Sequence, residues 1–139
     1  MTEMPTPRQI RDLMPFAVLS GIELLETTPQ LVRGRMEFSP ERCTTGGIMH
    51  GGALMSLADT CAAVCAFLNL PEGAIATTTI ESKTNFMRAL RDGALHASAQ
   101  PLHAGRTTIV LETTLTREDG ALAAKVTQTQ AFQYPRPAA

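Results

Sequence analysis

The stretch GGALMSLADTCAAVCAFLNLP, residues 51–71, decides the fold of this chain because it predicts one long helix that is apolar on nearly every side. The helix should begin at His50 or Gly51, and Leu70-Pro71 should end it, since proline cannot continue a helix. A helix of this kind needs cover on most of its surface, so the rest of the chain must supply it.

Asp59 is the one carboxylate between Arg42 and Glu72, and Ala, Leu, Met, Cys and Val surround it along the predicted helix. We therefore expect Asp59 to be buried. A buried carboxylate is costly, or takes a raised pKa, unless a partner stabilises it. Such a cost is common at functional sites, so Asp59 is the first candidate for chemistry. The alternative is a structural carboxylate held by a backbone or threonine partner.

Strand-like segments lie on both sides of the helix. Two come before it and four after it, at 22–29, 31–40, 77–87, 94–102, 107–116 and 120–133. Consecutive hairpins make the sheet antiparallel, and one helix can cover just one of its faces. The chain is therefore predicted to be a single α+β domain, 1–139. Either the sheet curls around the helix or a second copy of the chain covers its far side.

The two ends carry less information. Residues 1–20 are predicted to form an N-terminal segment with a short helix at 8–14, and residues 134–139 a frayed tail. The N-terminal stretch mixes acids and bases without the apolar run of a signal peptide, and no segment suits a membrane span.

Composition excludes several classes of function. A net charge of −1, 4% aromatic residues and no tryptophan argue against nucleic acid or an anionic membrane as a partner. Three cysteines form an odd set, which favours free thiols and the cytoplasm. Cys61 and Cys65 share a helix face and could suggest a metal, but no histidine or acid completes a ligand set. We expect them to be small core residues, with no metal site.

The start of the helix, GGIMHGG at 46–52, offers a second chemical group. The first N–H groups of a helix lack internal partners and lie at its positive end, and glycine lets a ligand approach them. The amide of Gly51 could therefore hold a carbonyl oxygen that turns negative. Asp59 lies eight residues later, on the order of 12 Å along the axis, so one carbon cannot touch both groups. If both act on one substrate, a second copy of the helix must supply one of them.

Three segments carry a resemblance to a known family: the motif GxxHGG with the aspartate seven residues later, the segment TTTIESKTNFMRALRDG and the final GALAAKVTQTQ. Through them the chain resembles the hotdog-fold acyl-CoA thioesterases, most closely the PaaI-like branch of phenylacetic acid degradation. The resemblance spans about residues 20–133. It implies a central helix wrapped by a curved antiparallel sheet, homodimers that share active sites and often pair into tetramers, and hydrolysis of an acyl-CoA without a metal or cofactor. It also implies that Asp59 is the nucleophile or the general base and that Gly51 of the partner subunit polarises the thioester carbonyl. His50, the third candidate catalytic residue, is expected to shape the turn and to orient the thioester by a hydrogen bond, together with Thr44.

The resemblance suggests further substrate contacts. The position six residues before the histidine is often Asn or Gln in these enzymes, and here it is a threonine. A CoA phosphate needs cations, and the strand after the helix borders the acyl-CoA site in this family. The candidate substrate-binding residues are Thr44, Gly52, Thr77, Thr78, Arg88 and Arg106. Residues of the acyl pocket are predicted at Met14, Phe16 and Leu57.

The favoured function is hydrolysis of small aryl- or medium-chain acyl-CoA to free acid and CoA. The alternative is a non-catalytic acyl-CoA-binding dimer, which the threonine at position 44 favours and the costly Asp59 opposes. A hydratase of the same fold is a weaker third reading, because the aspartate and histidine that it needs are not visible in the sequence.

Overall fold

A computed structural model of the chain describes residues 3–139. Within these residues three α-helices and six strands follow one another in the order α1 (Pro7–Asp12), α2 (Pro15–Leu19), β1 (Ile22–Thr27), β2 (Val32–Glu37), α3 (Gly51–Leu68), β3 (Ala76–Phe86), β4 (Ala94–Ala104), β5 (Thr108–Arg117) and β6 (Leu122–Gln133), with a short 3₁₀ helix at Pro40–Arg42 between β2 and α3. The predicted helix and all six predicted strands are confirmed to within a few residues at their ends.

The six strands form one antiparallel sheet in the order β1-β2-β4-β5-β6-β3. Strand β3 therefore forms one edge of the sheet although it follows α3 directly, and β1 forms the other edge. The turn at Asp119-Gly120 joins β5 to β6, with Gly120 at a φ of +82° that glycine adopts without strain. The predicted α+β class, with one long helix against an antiparallel sheet, is confirmed.

Helix α3 packs into the sheet, and half of its residues are buried. The contact with β2 is close because Gly34 has no side chain: a Cβ there would lie 2.6 Å from Cys61 Sγ and 3.3 Å from Leu57 Cδ1. Among residues 3–139, α3 is the one helix long and apolar enough to cross a membrane, but here it packs as the core helix against the sheet.

One stripe of α3 stays uncovered by the chain. Met55, Asp59 and Phe67 are exposed and Ala63 is half-buried, and these residues recur every fourth position on one side of the helix. The sheet therefore covers most of the helix and leaves one side open. Of the two alternatives considered from the sequence, the sheet does curl around the helix, and the stripe lacks cover within the single chain.

The N-terminal segment contains two short helices where the sequence predicted one. Thr6 caps α1 through a capping box, and the helix ends at Asp12. Met14 then takes an extended conformation because it precedes Pro15, which disfavours a helical residue before it, and Pro15 starts α2. Residues 134–139 have no regular secondary structure.

Candidate active site

The N-terminus of α3 is organised by His50. The ring accepts a hydrogen bond from the Gly52 amide at Nδ1, 2.8 Å away, as an N-cap side chain does. A neutral His50 therefore carries its proton on Nε2. Gly52 leaves room for the ring, because a Cβ there would lie 2.9 Å from Nδ1. The histidine thus occupies the amide of Gly52 and acts as a cap.

The Gly51 amide remains unpaired among residues 3–139, since it is the first residue of α3 and no side chain or carbonyl accepts from it. The ring of Phe86 packs on this residue, and a Cβ there would lie 3.1 Å from Phe86 Cζ. A cleft beside it includes Thr44, Gly51 and Arg88. The structure thus brings together three of the predicted residues around a free helix N–H.

Asp59 is exposed in the single chain, so the expected burial is wrong. The composition around an aspartate does not tell which side of a helix the sheet covers, and Asp59 lies on the open stripe. The carboxylate is nevertheless held. Its Oδ1 accepts hydrogen bonds from Gln128 Nε2 at 2.6 Å and from Thr79 Oγ1 at 3.4 Å. Gln128 Nε2 also donates to Thr79 Oγ1 at 3.0 Å, which closes a triangle of three groups.

The cleft at Asp59 is separate from the cleft at Gly51. Its lining includes Met55, Ser56, Thr79 and Ser82, and the two clefts have no residue in common. Within one chain the carboxylate and the free amide therefore form two half-sites on one helix.

The other predicted substrate residues are scattered. Thr77 donates a hydrogen bond to buried Gln130 at 2.7 Å, and Thr78 is exposed and points to the opposite face of the strand. Arg88 lies just after β3, in a cleft that it shares with Arg91 and Arg117. Arg106 lies in the turn between β4 and β5, at the end of the sheet where β3 begins. Arg88 and Arg106 therefore lie near opposite ends of β3, which has 11 residues and a length of about 36 Å when extended.

A cleft of about 680 Å³ with both apolar and polar lining residues borders the other side of the helix start. It is lined in part by Phe16, Leu19 and Met36, and it meets the cleft of Asp59 at Gly52 and Ser56. Phe16 therefore lies where an acyl group could bind. Leu57 is fully buried in the core and Met14 packs against the core, so neither residue lines this cleft as the sequence suggested.

Sequence reasoning missed Thr79 and Gln128, although a signal for each was present. Thr77 and Thr79 share one face of β3, so strand alternation could have selected Thr79 over Thr78 as the residue facing the helix. Gln128 and Gln130 alternate with Val126 on the inward face of β6, and both glutamines are 1% exposed. Glutamine side chains are seldom buried, and buried polar groups are usually hydrogen-bonded, so two glutamines on the apolar face of a strand indicate polar partners nearby.

Cys61 and Cys65 lie in the core, as predicted. Burial raises the pKa of Cys61 to about 12, with the neighbouring Cys65 contributing, and raises the pKa of Cys65 to about 11. Protonated thiols are poor metal ligands and poor nucleophiles. Across the described residues no three His, Cys, Asp or Glu side chains are grouped to hold a metal ion.

Known proteins are similar to this chain in sequence and fold. A family model described as the thioesterase superfamily matches residues 46–124. The proofreading thioesterase EntH of Cronobacter sakazakii is 32% identical over 101 residues, covering 72% of this chain and 67% of that protein. A structure of a mutant of the thioesterase PA1618 of Pseudomonas aeruginosa superposes with a TM-score of 0.86 at 25% identity, over 94% of this chain and 96% of that one.

Two more distant structures share the fold alone. A Streptococcus pneumoniae protein described as a hypothetical thioesterase with coenzyme A has a TM-score of 0.74 at 24% identity, over 84% of this chain and 88% of that one. The Escherichia coli PaaI protein of the phenylacetic acid degradation operon has a TM-score of 0.76 at 23% identity, over 84% of this chain and 83% of that one. The resemblance drawn from the sequence is confirmed: this chain belongs to the thioesterase superfamily, has its hotdog fold and is a thioester hydrolase.

Proposed function

We propose that the protein hydrolyses small aryl- or medium-chain acyl-CoA thioesters in an active site shared by two copies of the chain. Asp59 of one copy is the base and the Gly51 amide of the other is the oxyanion donor. One observation carries the proposal: a held carboxylate and an unpaired helix amide lie on the same helix but in separate clefts. A single chain cannot apply both to one carbonyl carbon, whereas two antiparallel helices can.

The symmetry of such a dimer follows from the spacing. If Asp59 of each copy faces Gly51 of the other, the two-fold axis must cross the helices midway between them, at Met55. Met55 is 40% exposed and shares the cleft of Asp59 with Ser82 of β3. An axis at Met55 therefore also passes close to the middle of β3.

Edge strand β3 is suited to pair with its own copy. It is long, pairs only with β6 within the described chain, and exposes Ile80 and Phe86, which an isolated sheet edge would seldom leave uncovered. Antiparallel pairing about Ser82 places Glu81 opposite Lys83 of the other copy, twice by symmetry, and opposite charges facing across strands are favourable. This pairing also covers the open stripe of α3. A dimer of dimers stays a prediction of the family resemblance.

The chemistry follows from these positions. Asp59 takes a proton from a water molecule, and the water oxygen bonds to the thioester carbonyl carbon. The carbonyl π electrons move onto oxygen, where the Gly51 amide and the positive end of α3 stabilise the negative charge. The intermediate then collapses, the carbon–sulfur bond breaks, and the thiolate receives the proton from Asp59. Direct attack by the carboxylate would instead form an anhydride that water must open, and the general-base route is preferred because it avoids this step.

The substrate is inferred from the lining of the clefts. The cleft beside Phe16 is within the size range of small-molecule sites, and its apolar part at Phe16, Leu19 and Met36 suits an acyl group. It reaches Asp59 through Gly52 and Ser56. Arg88 and Arg91 form no ion pair within residues 3–139, so their charges are available to CoA phosphates. In the proposed dimer Arg106 of the other copy comes to the Arg88 end of the strand. The structural neighbour determined with coenzyme A supports this class of substrate. Free thiols, two of them buried, fit a reducing compartment such as the cytoplasm.

The test is release of free CoA from phenylacetyl-CoA and hexanoyl-CoA, followed with a thiol reagent, for the wild-type protein and Asp59→Asn. General-base catalysis contributes about 10²–10⁴-fold, so Asp59→Asn should lose at least a hundredfold of kcat while CoA-ester binding persists. Unchanged turnover in the folded variant would remove Asp59 from the mechanism. Tight binding without turnover in the wild type would favour the non-catalytic binder instead.

A further inference from the structure

We infer that Gln128 is a positioning residue: its buried amide, together with Thr79, anchors Asp59 through Oδ1 and leaves Oδ2 as the oxygen that takes the proton from water. The inference rests on the proposed role of Asp59 and gives a role to two residues, Gln128 and Thr79, that were not among the candidates selected from the sequence.

Hydrogen-bond counting supports the anchor. Gln128 Nε2 has two hydrogens, and Asp59 Oδ1 and Thr79 Oγ1 accept one each, at 2.6 Å and 3.0 Å. The Thr79 hydroxyl then donates its own hydrogen to Oδ1. Oδ1 thus accepts two hydrogen bonds, whereas Oδ2 accepts none within residues 3–139. One oxygen is held and the other is free to react.

The burial of Gln128 shows that the anchor is costly to keep. The side chain is 1% exposed, and its Oε1 has no hydrogen-bond partner among the described residues. An unsatisfied buried acceptor costs about 1–3 kcal/mol. The orientation with Nε2 towards Asp59 is nonetheless fixed, because turning the amide would place its oxygen against a carboxylate oxygen. An apolar side chain would fill the same place in the core without this cost, so the amide serves the carboxylate.

Gln130 provides a matched control within the same strand. It is also 1% exposed and also leaves one amide atom unpaired within residues 3–139, its Nε2. It lies two residues from Gln128 on the same face of β6, but its amide oxygen accepts from Thr77 and does not contact Asp59. Replacing either glutamine with methionine therefore perturbs the core similarly, and only one replacement removes a donor from Asp59.

The experiment compares kcat and KM for the wild type, Gln128→Met and Gln130→Met, with phenylacetyl-CoA as substrate. A misplaced catalytic group can cost up to about 10²-fold, so the loss of the anchor in Gln128→Met should lower kcat by about tenfold or more and change KM little. Gln130→Met should lower kcat much less. In the Asp59→Asn background Gln128→Met should have no further effect, whereas a purely structural defect would lower the residual turnover as well.

Two further variants keep the inference open to refutation if Gln128→Met does not fold. Gln128→Leu also removes the donor, and its kcat should fall as far as that of Gln128→Met. Thr79→Val removes one hydroxyl and should give a smaller fall in kcat. An unchanged kcat in folded Gln128 variants, an equal fall in Gln130→Met, or a further loss when Gln128→Met is added to Asp59→Asn would overturn the inference. Failure of the proposed function is a different result, because Asp59→Asn would then retain turnover.

Discussion

Replacing Gly51 with proline removes one hydrogen-bond donor and changes little else. Gly51 is the first residue of α3, where proline is well tolerated because its missing N–H has no partner inside the helix. His50 has φ −60° and ψ 135°, the extended conformation that a residue before proline adopts. The Gly51→Pro chain should therefore fold with α3 in place and without the proposed oxyanion donor.

Gly51→Ala is the matched control. Both variants add a Cβ that lies 3.1 Å from Phe86 Cζ, and the Phe86 ring, 53% exposed, has room to shift. Only proline removes the amide. Loss of one oxyanion donor costs about 2.7–4 kcal/mol, so kcat of Gly51→Pro should fall roughly 10²–10³-fold below that of Gly51→Ala, with a much smaller effect on KM.

The assay is CoA release from phenylacetyl-CoA, with circular dichroism and light scattering to confirm that both variants fold and assemble alike. A kcat for Gly51→Pro within about tenfold of that of Gly51→Ala would refute the assignment, because a donor of this kind contributes more than that.

Three other predictions concern assembly and the core. Glu81→Lys should weaken the dimer, because two like-charge pairs with Lys83 replace two favourable pairs worth about 0.2–1 kcal/mol each. Analytical ultracentrifugation should show the weaker association. The double variant Glu81→Lys with Lys83→Glu should restore the dimer. A double exchange as weak as the single variant would exclude this register. A thiol reagent should modify Cys43 in the native protein, and Cys61 and Cys65 only after unfolding. Burial raises the pKa of Cys61 from 9.0 to about 12, so between these values the folded chain keeps a proton that the unfolded chain loses. The free energy of unfolding, measured by chemical denaturation, should therefore fall as the pH rises through this range. A free energy of unfolding that does not change with pH would contradict the burial of this thiol.

The elements of the fold were predictable because local rules agree with the final structure. Alternating apolar residues marked the strands, and the apolar run after His50 marked α3, which ends at Leu68 just before the proline at 71. The division of the N-terminal helix was also written in the sequence, since Pro15 forbids a continuous helix at Met14. The prediction of a single short helix in this segment did not take into account that Pro15 disfavours a helical conformation at Met14.

The candidate site was only partly predictable, because much of it depends on distant parts of the chain. Asp59 and Gln128 are 69 residues apart, and no local pattern indicates that β6 places its amide beside α3. The exposure of Asp59 was missed for a related reason. Composition predicts how apolar a helix is, but the curvature of the sheet decides which side remains open, and Met55 and Phe67 share that side with the carboxylate.

The shared active site is the central claim, and mixing two inactive variants tests it most directly. A dimer of one Asp59→Asn chain and one Gly51→Pro chain has one site with both groups intact and one site with neither. Random assortment after unfolding and refolding an equal mixture makes half of the dimers mixed, so CoA release should recover to about a quarter of the wild-type rate. If each chain held a complete site of its own, the mixture would stay as inactive as its components, and that result would contradict the account.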